Sequence, residues 1–368
     1  MVLAYLVYIF LPSLMILSLC KVSNGIVSRR HIYVNRYLLS HIVIIITAIV
    51  IGFRYGVGTD YFSYEQLYLT QDSSTFADKY GIEFLFYGIY TICYRLGLSY
   101  NVALCVLNMI PIYFLYKRFR GDVAFAWIVV MLFLSGQFFM HLNIVRQSVA
   151  MFVLLYATRY IIDRSFLKFA FWVFVAMGFH VSAILFLPVY YIPRLSPLLE
   201  RRRLQYVIFF TAFLSSSFIL NHIIGLMMEL MQYTPYAQYG GLIANFEISK
   251  GSGVGVIIKF LMDFVIIHYS VRLVKAYEIS GFSVFYLIYF CGCVLSQIFG
   301  LTSLLLLRLI FLFESFRFVI SGYLFHYLFH KSGWHQIVFA VLMIMYIGYF
   351  LGMIYLHNND CSPYEFAI

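Results

Sequence analysis

Four ionisable side chains stand where an apolar chain has least reason to keep them. They are Arg54 in GFRYGVGTDYFSY, Arg146 in HLNIVRQSVA, His180 in MGFHVSAI and Arg308 in TSLLLLRLIF. Three are arginines, whose planar fork grips phosphate oxygens in pairs. Histidine changes charge near neutrality and can take a proton from a hydroxyl. Asp60 follows Arg54 closely and adds a carboxylate. Together these groups could hold an anion and move a proton beside it. Singly, each has a plainer reading. Arg54 could be an anchor that snorkels to the membrane surface. Arg146 could pair with an acid such as Asp60. His180 could be a packed, hydrogen-bonded ring. Arg308 is the hardest to dismiss, because Glu314 lies about 120° away around a helix. The case rests on the set converging.

The elements that must position these residues are membrane helices. The chain has 368 residues, of which 63% are hydrophobic and 11% charged, with a mean hydropathy of +0.90. Soluble domains are roughly half apolar and a quarter charged. Apolar segments near span length recur from residues 2–20 to 335–356, each long enough for a hydrocarbon core of about 30 Å. Alternating strand-like segments are absent, which argues against a barrel. The pattern predicts an all-α polytopic membrane protein of about twelve crossings that forms one domain over residues 1–368. The first segment lacks a basic n-region and a small-residue cleavage site, so it reads as a retained span. The six cysteines show no disulfide or metal spacing, and neither a cofactor nor a metal is expected. The net charge of +10 does not point to nucleic acid, because the excess lies in short loops.

Charge bias orients the chain. Five basic loops (21–36, 117–120, 159–168, 194–203 and 272–275) and Lys331 hold 17 of the 25 basic residues, so they belong inside. The outer loops, about 54–81 and 221–254, carry acids including Asp60, Glu65 and Asp72, and both termini fall outside. Segment 166–193 then starts and ends inside, so it must be a hairpin or broken helix turning near His180. Segment 82–97 is expected to be re-entrant or interfacial. In this orientation Arg54, Arg146, His180 and Arg308 share one level near the outer surface. Other charges suggest internal pairs: Lys259 with Asp263 four residues on, and Glu314 with Arg317 three residues on. Gly56 and Gly58 permit a sharp turn that would return Asp60 towards Arg54.

Three motifs occur in order: R-x-G-x-G-x-D-Y-x-x-Y from Arg54 to Tyr64, R-Q-x-x-A from Arg146 to Ala150, and F-H-x-S from Phe179 to Ser182. In this the chain resembles the EpsG-like branch of the Wzy polysaccharide polymerases. The late part matches in hydropathy and in having Arg308, and the tail carries no motif. The resemblance implies a GT-C-like glycosyltransferase of the bacterial inner membrane. Such an enzyme joins repeat units carried on undecaprenyl diphosphate at the periplasmic face, and a flippase and a chain-length regulator act in the same pathway. Arg146 and Arg308 would then stabilise the departing diphosphate, and His180 or Asp60 would act on the acceptor hydroxyl. Arg54, Gly56, Gly58, Tyr61, Gln147 and Arg317 would bind substrate. The competing readings are a lipid-linked oligosaccharide flippase, a membrane O-acyltransferase and a structural subunit of an export complex. A flippase usually shows internal repeats, which this chain lacks.

Overall fold

The protein was analysed as a computed structural model that describes residues 1–17, 30–71, 83–119, 121–231, 254–278, 281–299 and 310–367. The regular secondary structure of the described residues is helical, apart from one two-residue antiparallel pairing. It is an all-α membrane protein. Among the described residues, three helices are long and apolar enough to cross a bilayer: Tyr100–Phe119, Phe282–Phe299 and Trp334–Tyr355. A fourth crossing results if Phe125–Leu134 and Gln137–Asn143, bent by 64°, form one span. Several expected spans are instead interrupted. Gly136, at φ +76, separates the two halves of the bent pair. The helix Phe84–Arg95 has only 12 residues, about 18 Å at 1.5 Å per residue, which is short of a crossing.

The chain divides into two compact units, residues 1–190 with 321–368 and residues 191–320. In the first, helices α1 (Val2–Met15), α2 (Arg30–Gly52), α3 (Tyr61–Thr70), α4 (Phe84–Arg95) and α5 (Tyr100–Phe119) precede the bent pair α6 (Phe125–Leu134) and α7 (Gln137–Asn143). Next come α8 (Val145–Ala157), the short α9 (Arg159–Ile162) and α10 (Phe166–Met177). Helix α8 is the centre of this unit. From Val149 on its sequence is apolar all round, as a helix segment enclosed on every side must be, and Gln147 to Ala157 are all buried. It packs on α5 and α10, and α5 packs in turn on α2.

After α10 the chain breaks at residues 178–180 and continues as a 3-10 helix, Val181–Leu195. The Tyr190 ring returns to within 5.1 Å of Phe166 and 5.6 Å of Phe169, between ring centroids. Segment 166–190 is therefore a hairpin with His180 at its turn, and the turn falls where the charge bias required one.

The C-terminal tail, which carries no sequence motif, braces the loop after α2. Strand β1 (Arg54–Tyr55) pairs with β2 (Glu365–Phe366). The Ala367 amide donates to the Phe53 carbonyl at 2.8 Å and the Gly58 amide to the Asp360 carbonyl at 2.9 Å. Tyr364 and Tyr8 donate their hydroxyls to the carbonyls of Val50 and Cys361.

The second unit contains α11 (Pro197–Glu200), α12 (Arg202–Met231), α13 (Val254–Ala276) and α14 (Phe282–Phe299). One ionic network lies within it. Arg317 donates Nε and Nη2 to the two Asp263 oxygens at 2.9 and 2.8 Å, and Nη1 to Glu314 Oε1 at 2.8 Å. The Glu314–Arg317 contact follows its spacing. The expected Lys259–Asp263 pair does not form. Asp263 is engaged by the fork of Arg317 and by the Tyr289 hydroxyl, so Lys259 turns to Glu314 and Ser296.

Candidate functional site

The hairpin turn at residues 178–180 receives the start of α4. The first amides of a helix have no partner within it, and here the Gly178 carbonyl accepts from Leu85 N at 2.8 Å and Phe86 N at 3.1 Å. A Cβ on Gly178 would lie 2.7 Å from Leu85 Cγ and Cδ1, so only glycine allows this approach. The contact brings Glu83, at the head of α4, against His180. Glu83 Oε1 lies 2.7 Å from His180 Nδ1 and accepts from the Val181 amide at 3.0 Å. Its other oxygen, Oε2, accepts from Arg146 Nη1 at 2.7 Å.

Three sequence-distant elements thus meet on one carboxylate, which is itself 2% exposed, while Arg146 and His180 are 20% and 23% exposed at the side chain. The acid lies underneath, and the cation and the imidazole reach the surface. Burial pushes the Glu83 carboxyl up, but the His180 hydrogen bond, the Arg146 charge and the Val181 amide together hold it below the usual carboxylate range. An ionised Glu83 only accepts hydrogen bonds, so the His180 proton belongs on Nδ1. His180 Nε2 takes no hydrogen bond among the described residues.

The glycine loop reaches this site through α3. Asp60 stands at the N-cap of α3 and is half-buried. One turn into the helix, Tyr64 presents its ring to Arg146, 5.6 Å from the guanidinium carbon, and Phe86 does so at 5.5 Å from α4. Tyr87 OH is 3.5 Å from Arg146 Nη1. The last tyrosine of the first motif therefore lies against the arginine of the second.

Other expected ligands are placed differently. Arg54 is wholly buried and donates to three backbone carbonyls: Val57 at 3.0 Å, Ile51 at 3.0 Å and Leu142 at 2.8 Å. It clamps the loop onto the end of α7. Asp60 is accordingly not its partner. Gly58 has φ +102, and a Cβ there would lie 2.9 Å from both Asn143 Oδ1 and the Leu142 carbonyl. Thr59 N donates to Asn143 Oδ1 in the same contact. Gly56, at φ +62, completes the turn. Both glycines shape the loop. Tyr61 and Gln147 are buried, at 1% and 2% exposure. Arg317 directs Nε, Nη1 and Nη2 to carboxylates. Arg308 lies outside the described residues.

Glu83 is not among the residues that the sequence singles out. The available signal was a lone carboxylate at the edge of an apolar segment, a position that is costly without a partner. Its partners, 63 and 97 residues away, were invisible.

Neither a curated protein nor a solved structure matches the chain. A family match does extend over residues 37–366 and takes in the glycine loop, Glu83, Arg146, His180 and the bracing tail. The chain belongs to the EpsG family.

Proposed function

We propose that the protein is a membrane glycosyltransferase that polymerises oligosaccharide repeat units carried on a polyprenyl diphosphate, as a Wzy-type enzyme of about twelve crossings and GT-C-like architecture. Family membership supports polysaccharide polymerisation. The observation that carries the chemistry is the cluster of Glu83, Arg146 and His180, with its cation and imidazole partly open and its acid beneath. The basic-loop bias supports an outer position for this cluster, and in this reading that face is the periplasmic side of the inner membrane.

In this reading the acceptor is a sugar hydroxyl of one lipid-linked unit and the donor is the growing glycan on another. The acceptor oxygen bonds to the anomeric carbon and its proton passes to His180 Nε2. The bond from that carbon to the diphosphate oxygen breaks, and the electron pair leaves with the diphosphate. Negative charge grows on the leaving group as the bond breaks. A guanidinium already in place favours that state over the ground state, which is the form of stabilisation that raises a rate. Arg146 supplies it, and Arg308 is assigned the same task. Asp60 is assigned to acceptor sugar hydroxyls. The imidazolium returns its proton to water after transfer. An undecaprenyl carrier, a flippase that delivers the units and a chain-length regulator are the proposed partners.

Purified protein in liposomes, supplied with polyprenyl-diphosphate-linked repeat units, should yield a ladder of longer glycans and free polyprenyl diphosphate. Arg146→Ala and Arg308→Ala should leave single units. Movement of units across the bilayer without any ladder would replace this reading with a flippase.

A further inference from the structure

We infer that Glu83 is the positioning residue of this site: it fixes the proton of His180 on Nδ1 and so makes Nε2 the nitrogen that receives the acceptor proton. The inference rests on the polymerase reading for its reaction, and on geometry for the tautomer. A neutral imidazole has one donor and one acceptor nitrogen, and its partner decides which is which. Nδ1 lies 2.7 Å from Glu83 Oε1, and that oxygen also faces the Val181 amide, which can only donate. Glu83 Oε2 faces Arg146 Nη1, another obligate donor. Each oxygen thus meets an obligate donor, and one of the two donors is a cation, which holds the carboxyl group ionised, so the proton between Glu83 and His180 belongs to the ring.

The same carboxylate sets the spacing of the two groups that would act on substrate. Oε1 holds the imidazole and Oε2 holds the guanidinium, so a diphosphate at Arg146 and a hydroxyl at His180 are registered against each other by one side chain. Proximity of this kind can supply much of a catalytic effect. Glu83, 2% exposed, touches neither reactant. Its effect passes through His180 and Arg146.

Three substitutions separate positioning from mere support. Glu83→Gln keeps the shape but offers one acceptor oxygen to three donors, so its amide must oppose either Arg146 or the His180 and Val181 pair. It should lower kcat by about 10²-fold or more, the range of general acid–base assistance. Glu83→Asp keeps the ionised acceptor and should recover part of that loss. His180→Asn places an amide N–H near the Nδ1 position and has nothing at Nε2. It should retain the Glu83 contact and the binding of polyprenyl diphosphate, yet lose turnover.

The readout independent of reaction is the 15N spectrum of histidine-labelled protein, with the His180 signal identified by its absence in His180→Asn. Wild type should show the Nδ1–H tautomer, and Glu83→Gln should show the Nε2–H tautomer or a mixture. An Nε2–H tautomer in wild type, or wild-type kcat in Glu83→Gln, overturns the inference. A wild-type protein with the Nδ1–H tautomer and no glycan ladder overturns the polymerase reading and leaves the positioning role standing.

Discussion

Each unit of the molecule contains a cluster of charged side chains, and the two are built on opposite plans. In residues 191–320, two acids face two bases, and Arg317 sends Nε, Nη1 and Nη2 to carboxylates. In the other unit, one acid underlies a guanidinium and an imidazole that are each about one-fifth exposed, and the imidazole has a nitrogen to spare among the described residues. The first plan uses its hydrogen-bonding capacity internally. The second leaves capacity pointing outwards. Charge inside an apolar chain is therefore a weak indicator of a ligand site. The stronger one is the balance between donors presented and acceptors met. By that measure the Arg317 cluster is closed, and His180, with Nε2 taking no hydrogen bond among the described residues, marks the candidate site.

Breaking the closed cluster should have the largest effect. Arg317→Ala leaves Asp263, which is wholly buried, with only the Tyr289 hydroxyl among its described partners. Removing one member of a buried pair costs about 3–5 kcal/mol. Folded protein recovered in detergent should drop sharply, while the polymerising activity of each surviving folded molecule should stay near wild type. Arg146→Ala should do the reverse. Loss of one charge-stabilising donor costs about 10²–10³-fold in rate, and the yield of folded protein should fall less than in Arg317→Ala, because Glu83 keeps its contacts with His180 and the Val181 amide. If both variants lost stability and neither lost activity per molecule, the contrast between the clusters would collapse.

A double replacement sharpens the comparison. Asp263→Leu with Arg317→Met removes both charges at once. Apolar replacement of a complete buried pair is often neutral or stabilising, so the double variant should regain most of what Arg317→Ala loses. Thermal melts of the purified single and double variants measure the coupling. The corresponding Glu83→Leu with Arg146→Met should restore no activity, since that cluster serves through its exposed groups.

Much of this was legible in the sequence. Composition and apolar periodicity gave the all-α membrane class. The basic loops required a turn near His180, and Gly178–His180 is that turn. The motifs flagged Arg146 and His180, which do meet. What could not be read was contact geometry. Arg54, Arg146 and Arg317 are the same residue type in similar apolar settings, yet one binds carbonyls, one shares a carboxylate with a histidine, and one is enclosed by two acids. Sequence spacing reports the face of one helix, and these partners come from other elements. The tail was unreadable for the same reason: its amides and carbonyls pair with the loop at residues 53–58 through backbone groups that no side-chain pattern reveals.

The smallest predicted effect concerns the link between the glycine loop and the site. Tyr64 is the one described residue of α3 whose ring lies against Arg146, at 5.6 Å from the guanidinium carbon. A ring held there attracts the cation by about 0.5–2 kcal/mol, more as the pair is desolvated, and Tyr64 is 7% exposed. Tyr64→Leu keeps an apolar side chain but removes the π face, and should slow polymerisation by about 2- to 30-fold at the tenfold per 1.4 kcal/mol conversion. Tyr64→Phe keeps the face and should be closer to wild type. Equal loss in both would transfer the role to the hydroxyl, and wild-type rates in Tyr64→Leu would reduce the first motif to a scaffold for its own loop. Because Arg54, Gly56 and Gly58 already serve that scaffold, the Tyr64 ring decides whether the motif stops at folding or extends to the arginine that the reaction is proposed to need.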